Sequence, residues 1–278
     1  MLKNLLDNNF TLRLTLILIV FFSAPTSGAN ERPKAVEWQS PSYIQKAFNE
    51  IALKNEYHKT QQRIIKWQKP IFYQFVYHNL PQNSVIEELF NTHLQHLQQI
   101  TQHPIQLISG KQSASNKQQR PNLLINLTKD SDYGHIIQQV SKSRVENIER
   151  ESHCMGSFTL NAQHQINQAV VIIPVDHVYS RGLLVSCIVE ETTQVMGLPN
   201  DSDWVNPSIA NDVSKIELLT GLDYLLLKIL YDPRLQAGMR LSQSQPIIKN
   251  IIDGLQKNDL IESAQQQVNK HGLYPLLN

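Results

Sequence analysis

Glu190 and Glu191 are adjacent carboxylates about one helical turn before the amide side chain of Gln194. Side chains of these types at this spacing could bind a cation or activate water. Leu184, Ile188 and Val195 repeat at helical spacing, and Glu191 falls between the last two of them. A carboxylate on an apolar helix face must be paired or hydrogen-bonded, and burial raises its pKa toward the range of a general acid or base. Glu191 is therefore a candidate catalytic residue. The alternative is a structural glutamate at the edge of the core, bonded to the backbone or to an arginine.

Cys154 and Cys187 are the only two cysteines of the chain. An oxidising compartment permits a disulfide between them, and such a bond would connect the segment before a predicted hairpin to the helix that carries Glu191. The alternative is a pair of buried free thiols. A metal site built on these two residues alone is not expected.

The same helix resembles the active-site helix of zincin metallopeptidases, whose pattern is H-E-x-x-H-x-x-G-x-x-H. Glu191 matches the catalytic glutamate of that pattern, while the three zinc-ligand positions fall on Glu190, Gln194 and Asn200. These three side chains offer only oxygen donors, which suit calcium or magnesium better than zinc. The resemblance thus implies a degenerate site without zinc, in which a hard cation such as calcium could bind.

The stretch from about residue 65 to residue 239 resembles more specifically a secreted bacterial family known as domain of unknown function 2927. Three motifs carry the resemblance: E-E-x-x-Q-x-x-G-L-x-N-D at residues 190–201, P-S-I at residues 207–209, and L-Y-D-P-R-x-x-x-G-M at residues 230–239. This family brings no established activity, so its function must be argued from the residues.

Four further residues are candidates for the walls of a cleft. Asp201 stands beside the third ligand position, and His177 precedes the helix and could supply a titrating group. Tyr231 and Arg234 could hold an anionic group of a substrate, although the Asp-Pro step between them is ordinary turn chemistry.

Hydrophobic periodicity predicts the elements that must position these residues. The predicted strands are residues 70–77, 104–108 and 123–127, followed by a hairpin of 157–160 and 169–173. The predicted helices are residues 40–57, 85–102, 133–143, 180–196 and 214–230, with two weaker helices at 246–256 and 259–270. This order indicates an α+β fold, which the resemblance makes a zincin-like single domain: a mixed sheet packed against the active-site-type helix and a following helix.

The first residues predict export. A mildly basic start precedes the apolar segment 14–22, which is too short to span a membrane, and the small residues 27–29 fit a signal-peptide cleavage site. We expect residues 1–29 to be a signal peptide, 30–62 an N-terminal helical segment, 63–245 the zincin-like domain and 246–278 a C-terminal helical extension. The mature protein would be soluble, periplasmic or extracellular, without a stable membrane span. No cysteine lies near the apolar segment, so it would not be a lipoprotein.

Composition narrows the function classes. With 41% hydrophobic residues, a mean hydropathy of -0.31 and a net charge of +1, the chain has no concentrated basic face for nucleic acid. Two hypotheses remain. The first is a non-catalytic binding or structural module of the cell envelope, whose partner would be an envelope protein or a peptide. The second is a peptidase-like hydrolase in which Glu191 activates water without a His-ligated zinc.

Overall fold

A six-stranded sheet forms the centre of the computed structural model, which describes residues 37–54, 62–108, 120–141 and 152–277. Its strands are β1 (Lys66–Trp67), β2 (Ile71–Tyr77), β3 (Ile105–Leu107), β4 (Leu123–Thr128), β5 (Met155–Leu160) and β6 (Gln165–Pro174). Five of them pair in parallel in the order β1-β6-β4-β2-β3, and β5 pairs with β6 in antiparallel orientation. The predicted signal peptide and residues 109–119 lie outside the described residues.

Nine α-helices in the described residues accompany the sheet. They are α1 (Pro41–Leu53), α2 (Ser84–Thr101), α3 (Asp130–Val140), α4 (Val175–Ser180), α5 (Leu184–Gln194), α6 (Gly221–Leu230), α7 (Leu241–Lys257), α8 (Leu260–Asn269) and α9 (Tyr274–Leu277). Local sequence fixes several of their starts. The Ser40 side chain accepts a hydrogen bond from the backbone of Tyr43, and Pro41 occupies the first turn of α1.

Two predicted helices are wrong in extent. The helix predicted over residues 180–196 begins only at Leu184, as α5, because the chain turns at Gly182 with a φ of +72°. Ser180 instead ends the separate short helix α4. The helix predicted over residues 214–230 begins only at Gly221. Thr220 and Asp223 form a reciprocal capping box there, and the residues before it form a loop.

Two more differences concern short or interrupted elements. Strand β1 has only two residues, too few for an alternating pattern to predict it. Helix α7 begins at Leu241, whereas the prediction began at Pro246, which lies inside the helix.

One cluster of buried apolar residues runs through the described chain from Ile44 to Leu273. It takes side chains from one face of the central strands and from α1, α7 and α8, so the N-terminal and C-terminal helices share the core on that face. A separate, smaller cluster packs α3 against Met155 and Ile172 of the sheet. The prediction of a single α+β domain with a mixed sheet is confirmed. The subdivision at residues 62/63 and 245/246 stays a prediction. Within the described residues, no helix is both long and apolar enough to cross a membrane.

Candidate functional site

A cleft of about 600 Å³ lies along one side of α5. Its walls are residues 152–156 at the start of β5, the face of α5 that carries Glu190, Glu191 and Gln194, and the loop of residues 209–217. We call it the α5 cleft. Three of the four side chains that the sequence placed on the active-site-type helix pattern therefore open into one cavity.

The fourth residue, Asn200, is not among those that line the cleft. It is 7% exposed, and its side-chain Nδ2 donates to the backbone carbonyl oxygen of Asp201 at 2.7 Å. Its neighbour Asp201 lines the cleft instead and accepts a 2.7 Å hydrogen bond from Nε2 of Gln194. Asp201, rather than Asn200, thus joins Glu190 and Gln194 on the wall of the cleft.

An acidic cluster forms where the loop meets the helix. Carboxylate oxygens of Glu190, Asp201 and Asp212 all lie within 4.8 Å of one another. Burial raises the pKa of Asp212, and the negative charge of Asp203 raises it further. Sequence reasoning did not select Asp212, because it precedes the helix predicted over residues 214–230 and nothing local indicated that its loop folds back onto α5.

The acidic cluster offers only oxygen atoms as potential metal ligands, as the sequence predicted for this helix. Carboxylates supply all of its potential ligands, and the neighbouring Gln194 adds an amide whose nitrogen is already engaged with Asp201. Oxygen donors of this kind fit calcium or magnesium, while the nitrogen and sulfur donors that zinc favours are missing from the cluster. The residues present do not fit a zincin-type zinc site.

Glu191 lies deeper than the acidic cluster. It is 5% exposed and packs against β5, where Gly156 leaves the space that it needs. A Cβ at Gly156 would lie 2.9 Å from Oε2 of Glu191 and 3.0 Å from its carbonyl oxygen. The glycine thus allows α5 and β5 to approach closely enough for the Glu191 carboxylate to reach the cleft wall.

Buried Asp223 of α6 fixes the loop that carries Asp212. Its Oδ1 accepts a 2.6 Å hydrogen bond from the Ser208 hydroxyl, and its Oδ2 accepts bonds from the backbone N–H groups of Ile209 and Thr220 at 3.0 and 2.8 Å. Burial raises the pKa of Asp223, while these hydrogen bonds oppose the rise. The Pro-Ser-Ile motif is therefore an anchor for one wall of the α5 cleft.

A disulfide joins the other wall to the helix. Cys154, next to β5, is bonded to Cys187 in α5, and their Cα atoms are 5.9 Å apart. The predicted pairing is confirmed. Both residues line the α5 cleft, so the bond holds two of its walls together.

The remaining predicted cleft residues lie outside the cavity. His177 stands behind His153, which lines the cleft, and their ring nitrogens are 2.9 Å apart. Tyr231 donates its hydroxyl hydrogen to the carbonyl oxygen of Met196 at 2.8 Å, and Arg234 forms an exposed ion pair with Asp232.

The L-Y-D-P-R motif instead closes the end of α6. Lys66 is 5% exposed, and its Nζ donates to the carbonyl oxygens of Leu230 and Asp232 at 3.0 and 3.2 Å. Burial lowers the pKa of Lys66 to about 8, partly offset by the nearby charge of Asp232. This ammonium group satisfies carbonyls that the end of a helix leaves without partners.

Comparison with protein families agrees with the three motifs. The model of a protein family of unknown function, DUF2927, matches residues 41–250. The chain belongs to the DUF2927 family. The motif at residues 190–201 lines the α5 cleft. The motifs at residues 207–209 and 230–239 anchor the cleft loop and close α6, so these two have structural roles. A search of curated proteins finds no match.

Proposed function

We propose that this DUF2927 protein is an exported, non-catalytic binding module of the cell envelope whose α5 cleft takes up a cationic ligand. One observation carries the proposal: the carboxylates of Glu190, Asp201 and Asp212 meet within 4.8 Å on the wall of an open cavity. Three like charges at such distances repel one another, and a bound cation relieves this repulsion. The zincin-like interpretation of the helix supports the position of the site but not its metal.

The charge of the whole cavity points the same way. Glu191 and Glu217 add two more carboxylates to its lining, and among the residues that the structure describes Lys215 is the single lysine or arginine there. A narrow cavity lined mostly by one sign of charge concentrates ligands of the other sign. The cationic group could be a hard divalent ion or the ammonium group of a peptide. Binding experiments with one probe of each kind distinguish these two ligands.

Binding is tested by calorimetry and thermal unfolding of the mature protein with two probes, Ca²⁺ alone and a tri-lysine peptide. A ligand that binds only the folded state raises the unfolding midpoint with its concentration. We expect at least one probe to bind, and Asp212→Asn to weaken it. Glu217→Gln, in the same cleft but outside the acidic cluster, removes the same charge and should weaken binding less. Failure of both probes to bind at millimolar concentration would refute the proposal.

A peptidase-like hydrolase is the second candidate, because the buried Glu191 carboxylate lines the same cavity as the acidic cluster. In that case Glu191 would take a proton from a water molecule attacking the substrate carbonyl. A library of fluorogenic peptides tests it directly. Cleavage that disappears in Glu191→Gln, with the protein still folded, would replace the binding module by the hydrolase.

A further inference from the structure

Three ionisable side chains lead from the surface to the wall of the α5 cleft. Nδ1 of His153 lies 2.9 Å from Nε2 of His177, and Nδ1 of His177 lies 3.5 Å from Oδ1 of Asp130. The residues come from the segment before β5, from α4 and from the start of α3, respectively. Asp130 is itself tied to α4, since its backbone N–H donates to Oδ1 of Asp176 at 2.8 Å.

The order of these contacts decides which nitrogen carries each proton. An ionised carboxylate only accepts hydrogen bonds, so Asp130 favours a proton on Nδ1 of His177 and leaves a lone pair on Nε2. That lone pair must then accept the proton of Nδ1 of His153. Nε2 of His153 is left as an unprotonated base, and it has no hydrogen-bond partner among the described residues.

His153 is exposed, and its partial desolvation is the main cause that lowers its pKa, with smaller electrostatic contributions from His177 and Arg181. A lowered pKa favours the neutral imidazole. The carboxylates of α5 and Lys215 of the loop line the same cleft as His153. His153 is adjacent to Cys154, whose partner Cys187 precedes Glu190 by three residues, a rise of about 4.5 Å along a helix.

We propose that His153 is a ligand-binding residue of the α5 cleft, whose Nε2 accepts a hydrogen bond from an N–H group of the ligand, with His177 and Asp130 as its positioning residues. This inference rests on the proposed function, and it narrows the ligand to one whose cationic group carries hydrogen-bond donors, such as a lysine-containing peptide. A calcium or magnesium ion prefers oxygen ligands, so it would satisfy the acidic cluster without engaging Nε2 of His153.

The positioning is tested without ligand by ¹⁵N NMR of the imidazole nitrogens. We expect both His153 and His177 to carry their proton on Nδ1 in the parent protein. In Asp130→Ala the carboxylate acceptor is lost, so a larger fraction of each ring should carry its proton on Nε2. Asp132→Ala, two residues away in the same first turn of α3, is the control and should change neither ring. A proton on Nε2 of His153 in the parent, or unchanged rings in Asp130→Ala, would overturn the positioning.

The ligand contact is tested by tri-lysine affinity between pH 5 and 8. Loss of one hydrogen bond should weaken binding by roughly two- to tenfold in His153→Gln, and the loss of affinity that accompanies imidazole protonation should disappear. His135→Gln, an exposed histidine on α3, should behave as the parent. Equal affinity in His153→Gln would overturn the contact. If tri-lysine does not bind the parent protein, the proposed ligand class is wrong. The NMR test of the histidine tautomers needs no ligand, so its result does not depend on this outcome.

Discussion

Adjacent glutamates on α5 occupy opposite environments. Glu191 is buried between the helix and β5, while Glu190 is half-buried and faces two other carboxylates. The helical spacing of apolar residues predicts this difference for Glu191, since it falls on the buried stripe. It cannot predict the neighbours of Glu190, because Asp212 comes from a distant loop.

Glu191→Gln should destabilise the protein by roughly 1.5–3 kcal/mol, because a carboxylate buried at 5% exposure loses charge-assisted hydrogen bonding when it is neutralised. The change is nearly isosteric, so packing is preserved. Thermal and urea unfolding against the parent measure it, with Glu217→Gln as the control. A raised midpoint would mean that the charge is held at a cost in stability, as at a catalytic residue, and would favour the hydrolase.

Asp212→Asn should stabilise the protein, in contrast to Glu191→Gln. Burial and the charge of Asp203 raise the pKa of Asp212, so its ionised form near pH 7 costs stability that the amide does not. The unfolding midpoint in metal-free, low-salt buffer should therefore rise, and the gain should shrink with added salt. A lowered midpoint would show that Asp212 is held by favourable contacts and that repulsion in the acidic cluster is minor.

Elements of the site are held by contacts far apart in sequence. Helix α5 is fixed to β5 by the disulfide and by close approach at Gly156, and the cleft loop is fixed to α6 by Asp223. The disulfide closes a separation of 33 residues, which in a chain-entropy model stabilises by roughly 3–4 kcal/mol. The geometry of the α5 cleft thus depends on three separate attachments.

Gly156→Ala tests the approach of β5 to α5. The added Cβ would meet the backbone oxygen of Glu191 at 3.0 Å, and a helix backbone cannot give way as a flexible side chain does. We expect destabilisation of roughly 1–3 kcal/mol, with altered chemical shifts along α5. Gly254→Ala in α7 is the control: its added Cβ would meet nothing within 4 Å, and it should gain up to about 1 kcal/mol from helix propensity. Equal stability of the two variants would contradict the close approach.

Asp223→Ala tests the anchor of the cleft loop. It leaves the buried N–H groups of Ile209 and Thr220 without their acceptor, which should cost roughly 2–4 kcal/mol and speed hydrogen exchange at both amides. Asp223→Asn should retain most of the stability, because its carbonyl oxygen can accept both bonds while the Ser208 hydroxyl rotates to accept from the amide. If the alanine and asparagine variants lose equal stability, the charge rather than the hydrogen bonding of Asp223 holds the loop.

For the whole molecule, sequence reasoning reached the fold class, most strands, the disulfide and the helix that lines the cleft. Periodicity is a local signal, and α2, β2 and β4 are long enough to show it clearly. The loop of residues 209–217 has no such signal. Its path depends on the buried hydrogen bonds of Ser208 and Ile209 to Asp223, so the contribution of Asp212 to the acidic cluster could not be predicted from the sequence. The contact of His153 with His177 likewise joins separate elements and has no local signal.

Acid should unfold the whole protein through two buried histidines of α2. His93 and His96 are 2% and 3% exposed. Burial lowers the pKa of His93 to about 3, helped by the charge of His96, and lowers that of His96 to about 4, helped by His271. Among the described residues Nε2 of His93 has no hydrogen-bond partner, so its protonation would bury an unpaired N–H group.

The sign of the pH dependence follows from these depressed values. Above the unfolded-state pKa of about 6.5 both histidines are neutral in either state, and their contribution to stability is complete. As the pH falls from about 6.5 toward 4, the unfolded chain binds protons that the folded chain excludes, and stability drops by up to about 1.4 kcal/mol per pH unit for each histidine. Urea unfolding between pH 4.5 and 8 measures this slope. His93→Gln should lower stability at pH 8 but flatten the slope by about half, while the exposed control His135→Gln should leave it unchanged. A slope that survives His93→Gln in full would assign the acid sensitivity to other groups.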